Sequence, residues 1–334
     1  MAVFTEVSAD EASTFVARLS VGKLIDLRGI QAGIENSNFF LDTLDKGTTR
    51  HWVLTLFERL TFEQLPFYLE LMRHLAERGI PVPMPQADAS GAILHTLKGK
   101  PAALVDRLPG GHQLAPDVDH CAQVGAMLAR MHDAARDLPL QQPNLRGLPW
   151  WTETVPQVLP HVSPAQHELL LSELAYQQQL AASAAFASLP RGPIHADLFR
   201  DNVMFEPGGD RGGRGHERLC GFFDFYFAGV DTLLFDIAVC LNDWCIDLTS
   251  GTMADDRAQA FVAAYAGVRP LSSNERRLMP ALLRAAAFRF WLSRLWDFHL
   301  PRDAAMLKAH NPTHFERVLR ARMAQPWHPD SATA

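Results

Sequence analysis

The chain carries four cysteines, Cys121, Cys220, Cys240 and Cys245, with no C-x-x-C pair and no histidine spaced to complete a zinc site. This excludes a disulfide framework and a zinc-ribbon fold, and leaves buried free thiols in a reducing compartment. No run of apolar residues approaches the roughly 18 needed to cross a bilayer. The N-terminal stretch has no basic-then-apolar signal pattern, so a cytoplasmic protein without a membrane partner is expected. No block of basic charge is present. The net charge is −6, which gives no electrostatic grip on nucleic acid. Internal repeats are absent. So is G-x-x-x-x-G-K-[ST], which excludes a Walker-type nucleotide fold.

What is present is the composition of a folded protein: 334 residues, 48% hydrophobic and 20% charged, enough for two lobes. Residues Leu24 to about Leu108 carry strand signals. Asn38–Leu41 and His51–Phe57 are β-rich runs about the turn Asp45-Lys46-Gly47, and Ile93–Leu97 with Ala102–Leu108 reads as a second hairpin about Lys98-Gly99-Lys100. Between them, Leu65, Leu69, Met72 and Leu75 have helical spacing, closed by Gly79 and Pro81. From Asp117 the pattern turns helical, with helices expected over Val118–Ala134, Pro164–Ala187, Asp236–Cys245, Arg257–Tyr265 and Asn274–Leu300. The fold class is therefore α+β, a small sheet-rich N-terminal lobe and a larger, mainly helical C-terminal lobe. We divide the two at residues 1–104 and 105–334.

Two segments between the late helices carry chemistry. His195-Ala196-Asp197-Leu198-Phe199-Arg200-Asp201-Asn202 reads H-x-D-x-x-x-x-N, and Asp224 follows on an apolar strand. Phosphoryl transfer needs an acid to orient and deprotonate a hydroxyl, and oxygen ligands to hold Mg²⁺ on nucleotide phosphates. Asp197 suits the first task; Asn202 and Asp224 suit the second. Turn capping by Asp197 or Asn202 is the plain alternative, but the three residues stand in the order the reaction demands. His195 is expected to organise the loop rather than carry a proton. Asp236 is expected to cap a helix N-terminus, His132 to be a buried hydrogen-bonded residue, and Trp291 and Trp296 to pack in the core. Gly33-Ile34-Glu35-Asn36-Ser37-Asn38, ahead of an apolar strand, could present backbone N–H groups to a phosphate, although Gly and Asn also make ordinary turns. The glycine-rich stretch Gly208–Gly215 reads as a plain hairpin loop, and the tail after Trp327 as a poorly ordered end.

HADLFRDN together with FFDFYFAGVDTLLFDIA resembles the aminoglycoside phosphotransferase and choline kinase superfamily. GIENSNFFL, WVLTLFERL, RGIPVPMP, LNDWC and RFWLSRL resemble its bacterial homoserine kinase branch, so the likeness covers residues 33 to 295. The resemblance implies a two-lobed protein-kinase-like fold, ATP and Mg²⁺ as co-reactants, and L-homoserine as acceptor of the γ-phosphoryl group in threonine synthesis. It implies Asp197 as the catalytic acid, Asn202 and Asp224 as metal ligands, and Gly33, Asn36, Ser37 and Asn38 in the phosphate loop. It also implies a connector containing Val105, Asp106 and Arg107 whose backbone binds adenine.

Two positions depart from that pattern. Thr55 stands where a strand lysine would meet the phosphates, and Tyr68 where its partner glutamate would stand. Arg59 or the Asn-rich loop is then the expected phosphate contact, and a pseudokinase is the competing reading. A zwitterionic acceptor needs a cation for its carboxylate and an acceptor for its ammonium. Asp243 beside Trp244, and Arg284, Arg289 or Arg294, are the candidates, with ordinary helix-face ion pairs as the plain alternative for each arginine. Asp243, Asp247, Asp255 and Asp256 form a partial acidic cluster that keeps choline, an aminoglycoside or a sugar open as acceptor.

Overall fold

Alternation of apolar residues builds the first sheet. In the strand Asn36–Asp45, Ser37, Phe39, Leu41 and Thr43 are buried while their neighbours are not, the period-two pattern of a sheet with one face on a core. A computed structural model describes residues 5–30, 36–208, 217–300 and 311–329. Among these the chain divides into two compact units, Met1–Pro109 with Gly221–Tyr226, and Gly110–Cys220 with Phe227–Ala334.

The first unit begins with α1 (Ala9–Leu19), opened by a capping box in which Ser8 and Glu11 satisfy each other's backbone N–H groups. Five antiparallel strands follow: β1 (Lys23–Gly29), β2 (Asn36–Asp45), β3 (Thr48–Phe57), then, after α2 (Pro66–Glu77), β4 (His95–Leu97) and β5 (Lys100–Asp106). They pair in the order β1-β2-β3-β5-β4. The β2–β3 hairpin closes through Lys46 (φ 48°) and Gly47 (φ 83°), both left-handed. That is the turn whose twist suits two antiparallel strands, and Gly47 takes it without a Cβ penalty. Ala12, Phe15, Val16 and Leu19 of α1 form one core with Phe39, Leu41, Trp52, Leu54, Leu56 and Leu104 of the sheet. Each of the larger side chains gains about 2 kcal/mol by leaving water. A second apolar group joins Phe57, Tyr68 and Tyr226, whose rings meet edge to face.

In the second unit, α3 (Val118–Ala134) packs along α8 (Asp255–Val268). The two backbones approach so closely that a Cβ on Gly125 would lie 2.2 Å from the Phe261 carbonyl oxygen. Helices α4 (Leu148–Val158), α5 (Pro164–Ala181) and α6 (Ala184–Ala187) lead to β6 (Arg191–Ile194), then to the strands β7 (Val203–Pro207), β8 (Glu217–Phe222) and β9 (Gly229–Thr232). β6 pairs with β9, and β7 with β8, whose last two residues belong to the first unit. Helix α7 (Leu233–Trp244), buried at every residue but Asp243, the long α9 (Ser273–His299) and α10 (Thr313–Ala324) complete the unit. No helix among the described residues is long and apolar enough to cross a membrane.

Expectations change at Asp236, at Trp296 and over Pro164–Ala187, where one expected helix is two, α5 and α6. Asp236 does not cap α7: the helix starts at Leu233, with Thr232 at the cap position, and Asp236 lies in its first turn, completely buried. The apolar run Leu233-Leu234-Phe235 hides that start, because burial on all sides erases helical periodicity. Trp296 is half-buried and stacked on Trp150 rather than packed in the core, whereas Trp291 is fully buried. Helix α1 is absent from the sequence reading, although Ser8-x-x-Glu11 ahead of Ala12, Phe15, Val16 and Leu19 has both the cap and the spacing of a helix. The hairpin loop expected at Gly208–Gly215 falls, from residue 209 on, outside the described residues, as do residues 330–334 of the tail.

Candidate active site

β6 ends at Ile194, and the H-x-D-x-x-x-x-N segment turns from there into β7. Ala196 takes a left-handed φ of 63°, a conformation costing about 1–2 kcal/mol for a residue with a Cβ. The compensation comes from Asp236, whose carboxylate accepts the backbone N–H of His195 and of Ala196, each at 2.8 Å. His132 Nε2 lies 3.0 Å from the same carboxylate, and its Nδ1 lies 2.7 Å from the Tyr265 hydroxyl. Burial by itself would raise the Asp236 carboxyl. The His132 hydrogen bond, the charges of His132 and His195, and the His195 N–H outweigh it and hold its pKa below the ordinary value. His132 is thus the buried, hydrogen-bonded residue expected, and Asp236 the loop's anchor.

The rest of the loop is fixed residue by residue. The Asp197 carbonyl accepts the Phe199 N–H at 2.8 Å and the Asn202 side-chain amide at 2.8 Å. With Nδ2 committed there, Oδ1 is the Asn202 atom able to face a cation, a hard oxygen of the kind Mg²⁺ takes. The Leu198 carbonyl accepts from Trp244 Nε1 at 2.9 Å and from the Cys240 thiol. Arg200 is buried; its N–H and its Nε donate to Asp243 at 2.8 and 3.1 Å, and its Nη1 reaches the Leu114 carbonyl. Asp197 itself remains half-buried at the turn.

Asp243 and Trp244, expected at an acceptor, are braces of this loop instead. Asp243 is held by Arg200, and Trp244 is fully buried. Burial raises the Asp243 pKa even though Arg200 works against it. The wider acidic cluster is also engaged: Asp247 accepts the Thr249 and Ser250 N–H groups, Asp255 accepts Trp327 Nε1, and Asp256 accepts the Arg257 N–H. Arg284 pairs with the buried Glu173.

Arg289 and Arg294 on α9 are different. Arg289 is only 3% exposed, with its guanidinium carbon 3.7 Å from the Phe290 ring centroid and 5.0 Å from that of Phe227. Its Nε and Nη2 are buried and have no hydrogen-bond partner among the described residues. Burial lowers its pKa to about 9, with Asp197 drawing it up and Arg146 and Arg294 pushing it down. Burial also lowers that of Arg294, against the attraction of Asp197. Arg146, which the sequence reading did not single out, lies over Trp150 at 4.5 Å and Trp296 at 5.4 Å. Nothing in the local sequence marks it, since its partners lie as far away as α9.

In the first unit, Asp224 lies just past the end of β8 rather than on it, and is left-handed at φ 69°. An aspartate tolerates that region better than most residues. Burial, then the Asp224 charge, raises the pKa of the neighbouring Tyr226. Gly33 lies outside the described residues. Asn36, Ser37 and Asn38 form the start of β2 rather than a loop. Ser37 is fully buried, accepts the Thr5 N–H at 2.9 Å and donates to Glu58 at 2.5 Å. Lys100 pairs with the same Glu58. Thr55 Oγ1 donates to Asn38 Oδ1 at 2.8 Å, and Tyr68 is buried. The connector residues are engaged as well. Val105 pairs with Val53 and bridges Pro85, the Asp106 N–H donates to Met84 O at 3.3 Å, and the Arg107 N–H donates to His51 O at 3.1 Å. The Arg107 guanidinium covers the Phe40 ring. Those two N–H groups are therefore not available to adenine.

Comparison with known proteins places this architecture. The phosphotransferase enzyme family matches residues 26–271. A homoserine kinase of Polaromonas naphthalenivorans is 65% identical over 98% of this chain and 99% of its own length. A homoserine kinase of Cupriavidus pinatubonensis is 59% identical over 97% of each. Among solved structures, an amicoumacin kinase in complex with AMP-PNP, Ca²⁺ and Ami superposes with a TM-score of 0.68 at 16% identity, covering 95% of this chain and 92% of the other. That likeness establishes the protein-kinase-like fold.

Proposed function

Because the chain belongs to the phosphotransferase enzyme family and shares nearly its whole length with homoserine kinases, we propose that it transfers the γ-phosphoryl group of ATP to the side-chain hydroxyl of L-homoserine. The products are O-phospho-L-homoserine, a precursor of threonine, and ADP. The observation that carries the reading is the anchored loop: Asp197 half-buried on a turn held at Ala196, Leu198, Arg200 and Asn202 by four separate side chains.

In this mechanism the Asp197 carboxylate accepts a hydrogen bond from the acceptor hydroxyl and takes its proton as the oxygen bonds to the γ-phosphorus. The bond from that phosphorus to the bridging oxygen breaks, and ADP leaves with the electron pair. Asn202, through Oδ1, and the Asp224 carboxylate are the oxygens that would hold Mg²⁺. Held by these oxygens, it would supply positive charge to offset that of the nucleotide phosphates. Rigid bracing of the loop keeps Asp197 from reorganising during the transfer. Four free cysteines, three of them buried, suit a reducing cytoplasm.

The test is Mg²⁺-dependent ATP consumption with L-homoserine, D-homoserine, L-serine, choline, a monosaccharide and kanamycin. Turnover with L-homoserine above all others is expected. Turnover with another acceptor alone would overturn the substrate, and ATP binding with no turnover on any acceptor would make Thr55, in place of the usual lysine, the mark of a pseudokinase.

A further inference from the structure

A buried guanidinium without partners is costly. Removing a cation from water costs several kcal/mol, which is recovered only by paired charge and hydrogen bonds. Arg289 has few hydrogen bonds within the described residues: its guanidinium lies near the Phe290 and Phe227 rings, and its Nε and Nη2 are left without acceptors. These two nitrogens share one edge of the guanidinium, the edge whose parallel N–H bonds match the two oxygens of a carboxylate. The neighbouring charges add to the case. Arg146 and Arg294 are both close enough to push on Arg289 electrostatically, while Asp197 and Asp297 attract it. The indole Nε1 of Trp150, the ring beneath Arg146, is a further buried donor without a partner among the described residues. The group sets three guanidiniums and an indole donor against the carboxylates of Asp197 and Asp297, and leaves the Nε–Nη2 edge of Arg289 without an acceptor among the described residues.

We propose that Arg289, assisted by Arg294 and Arg146, is the anion site of the acceptor, and that its Nε–Nη2 edge takes the α-carboxylate of an amino acid whose hydroxyl faces Asp197. The inference rests on the phosphotransferase reading for the role of Asp197. It makes the carboxylate the feature by which the acceptor is selected. Cationic acceptors such as choline or an aminoglycoside would meet three arginines. Burying this charge costs stability that a bound carboxylate restores, and an active-site residue of this kind lowers stability for the sake of function.

The experiment compares wild type with Arg289→Met, which keeps an unbranched apolar stem, and Arg289→Lys, which keeps the charge but not the fork. Turnover is measured with L-homoserine and with 3-aminopropan-1-ol, its decarboxylated counterpart. Binding of L-2-aminobutyrate, which keeps the carboxylate and has no hydroxyl to phosphorylate, is measured by calorimetry, as is binding of ATP. We expect wild type to favour L-homoserine by about 100-fold or more in kcat/KM, the scale of a desolvated charge-assisted pair. Arg289→Met should remove most of that preference, with Arg289→Lys between. L-2-aminobutyrate binding should weaken by a similar factor, and the melting temperature of the unliganded Met variant should be equal to or above that of wild type.

An unchanged preference and unchanged L-2-aminobutyrate binding in Arg289→Met would overturn the proposal. So would a loss confined to ATP, which would assign the edge to a phosphate, or a marked fall in melting temperature with both acceptors equally impaired, which would make Arg289 structural. If wild type turns over neither acceptor, the phosphotransferase reading fails by itself. The binding of L-2-aminobutyrate then still decides the anion site.

Discussion

The Asp236 carboxylate accepts the backbone N–H of Ala196 at 2.8 Å and so stabilises, 40 residues away in sequence, the left-handed residue that immediately precedes Asp197. One buried carboxylate thereby converts a strained turn into a fixed platform for the catalytic aspartate. Its second oxygen accepts the His195 N–H and faces His132, which completes the anchor.

Asp236→Asn tests that anchor. The amide offers one acceptor where the carboxylate serves several donors, so it sets N–H against N–H inside a buried site. The variant should lose about 3 kcal/mol or more of stability in urea denaturation, and kcat should fall with ATP affinity largely kept.

The same residue gives a pH dependence. The folded-state pKa of Asp236 is depressed, so its contribution is fully present above the unfolded value near pH 4 and is lost as pH falls through the lower folded value. Asp243, raised chiefly by burial, acts in the opposite sense and is common to both proteins; Asp231, also raised chiefly by burial, loses in the variant only the part of its shift that the Asp236 charge supplies. The stability difference between wild type and Asp236→Asn should therefore be constant above about pH 5 and shrink below about pH 4, as read from denaturation midpoints across that range.

Asp197→Ala should lower kcat by about 10²–10⁴-fold while ATP affinity, measured by calorimetry with Mg²⁺, changes little. Near-normal turnover would remove Asp197 from the reaction.

Thr55 donates to Asn38 across β3 and β2, a structural bond worth about 1 kcal/mol. Thr55→Ala should cost that much stability and less than a tenfold loss in kcat/KM. Asp224→Ala should weaken Mg²⁺-dependent nucleotide binding far more. A magnesium titration of both variants separates the two, and comparable losses would give Thr55 a phosphate role.

Gly125→Ala places a Cβ 2.2 Å from the Phe261 carbonyl oxygen. The α3 and α8 backbones must part, and we expect a loss of about 1–3 kcal/mol, visible as a lower melting temperature. An unaffected midpoint would show that the helices separate freely.

The parts legible in the sequence are those whose physics is local. Helix α3 announces itself by Asp117 and helical spacing, and the β2–β3 hairpin by Asp45-Lys46-Gly47 between alternating strands. H-x-D-x-x-x-x-N carries its own geometry, because the Asn202 amide folds back onto the Asp197 carbonyl only five residues away. What the tertiary structure alone decided is which charges find partners. Asp243 and Arg289 look alike as candidates along the chain, one beside a tryptophan and one on a helix. Folding gives Asp243 to Arg200, 43 residues distant, and leaves the Arg289 edge buried near two rings without an acceptor among the described residues. Burial and pairing depend on residues far apart in sequence, and no local pattern records which polar groups will be satisfied when the helices close.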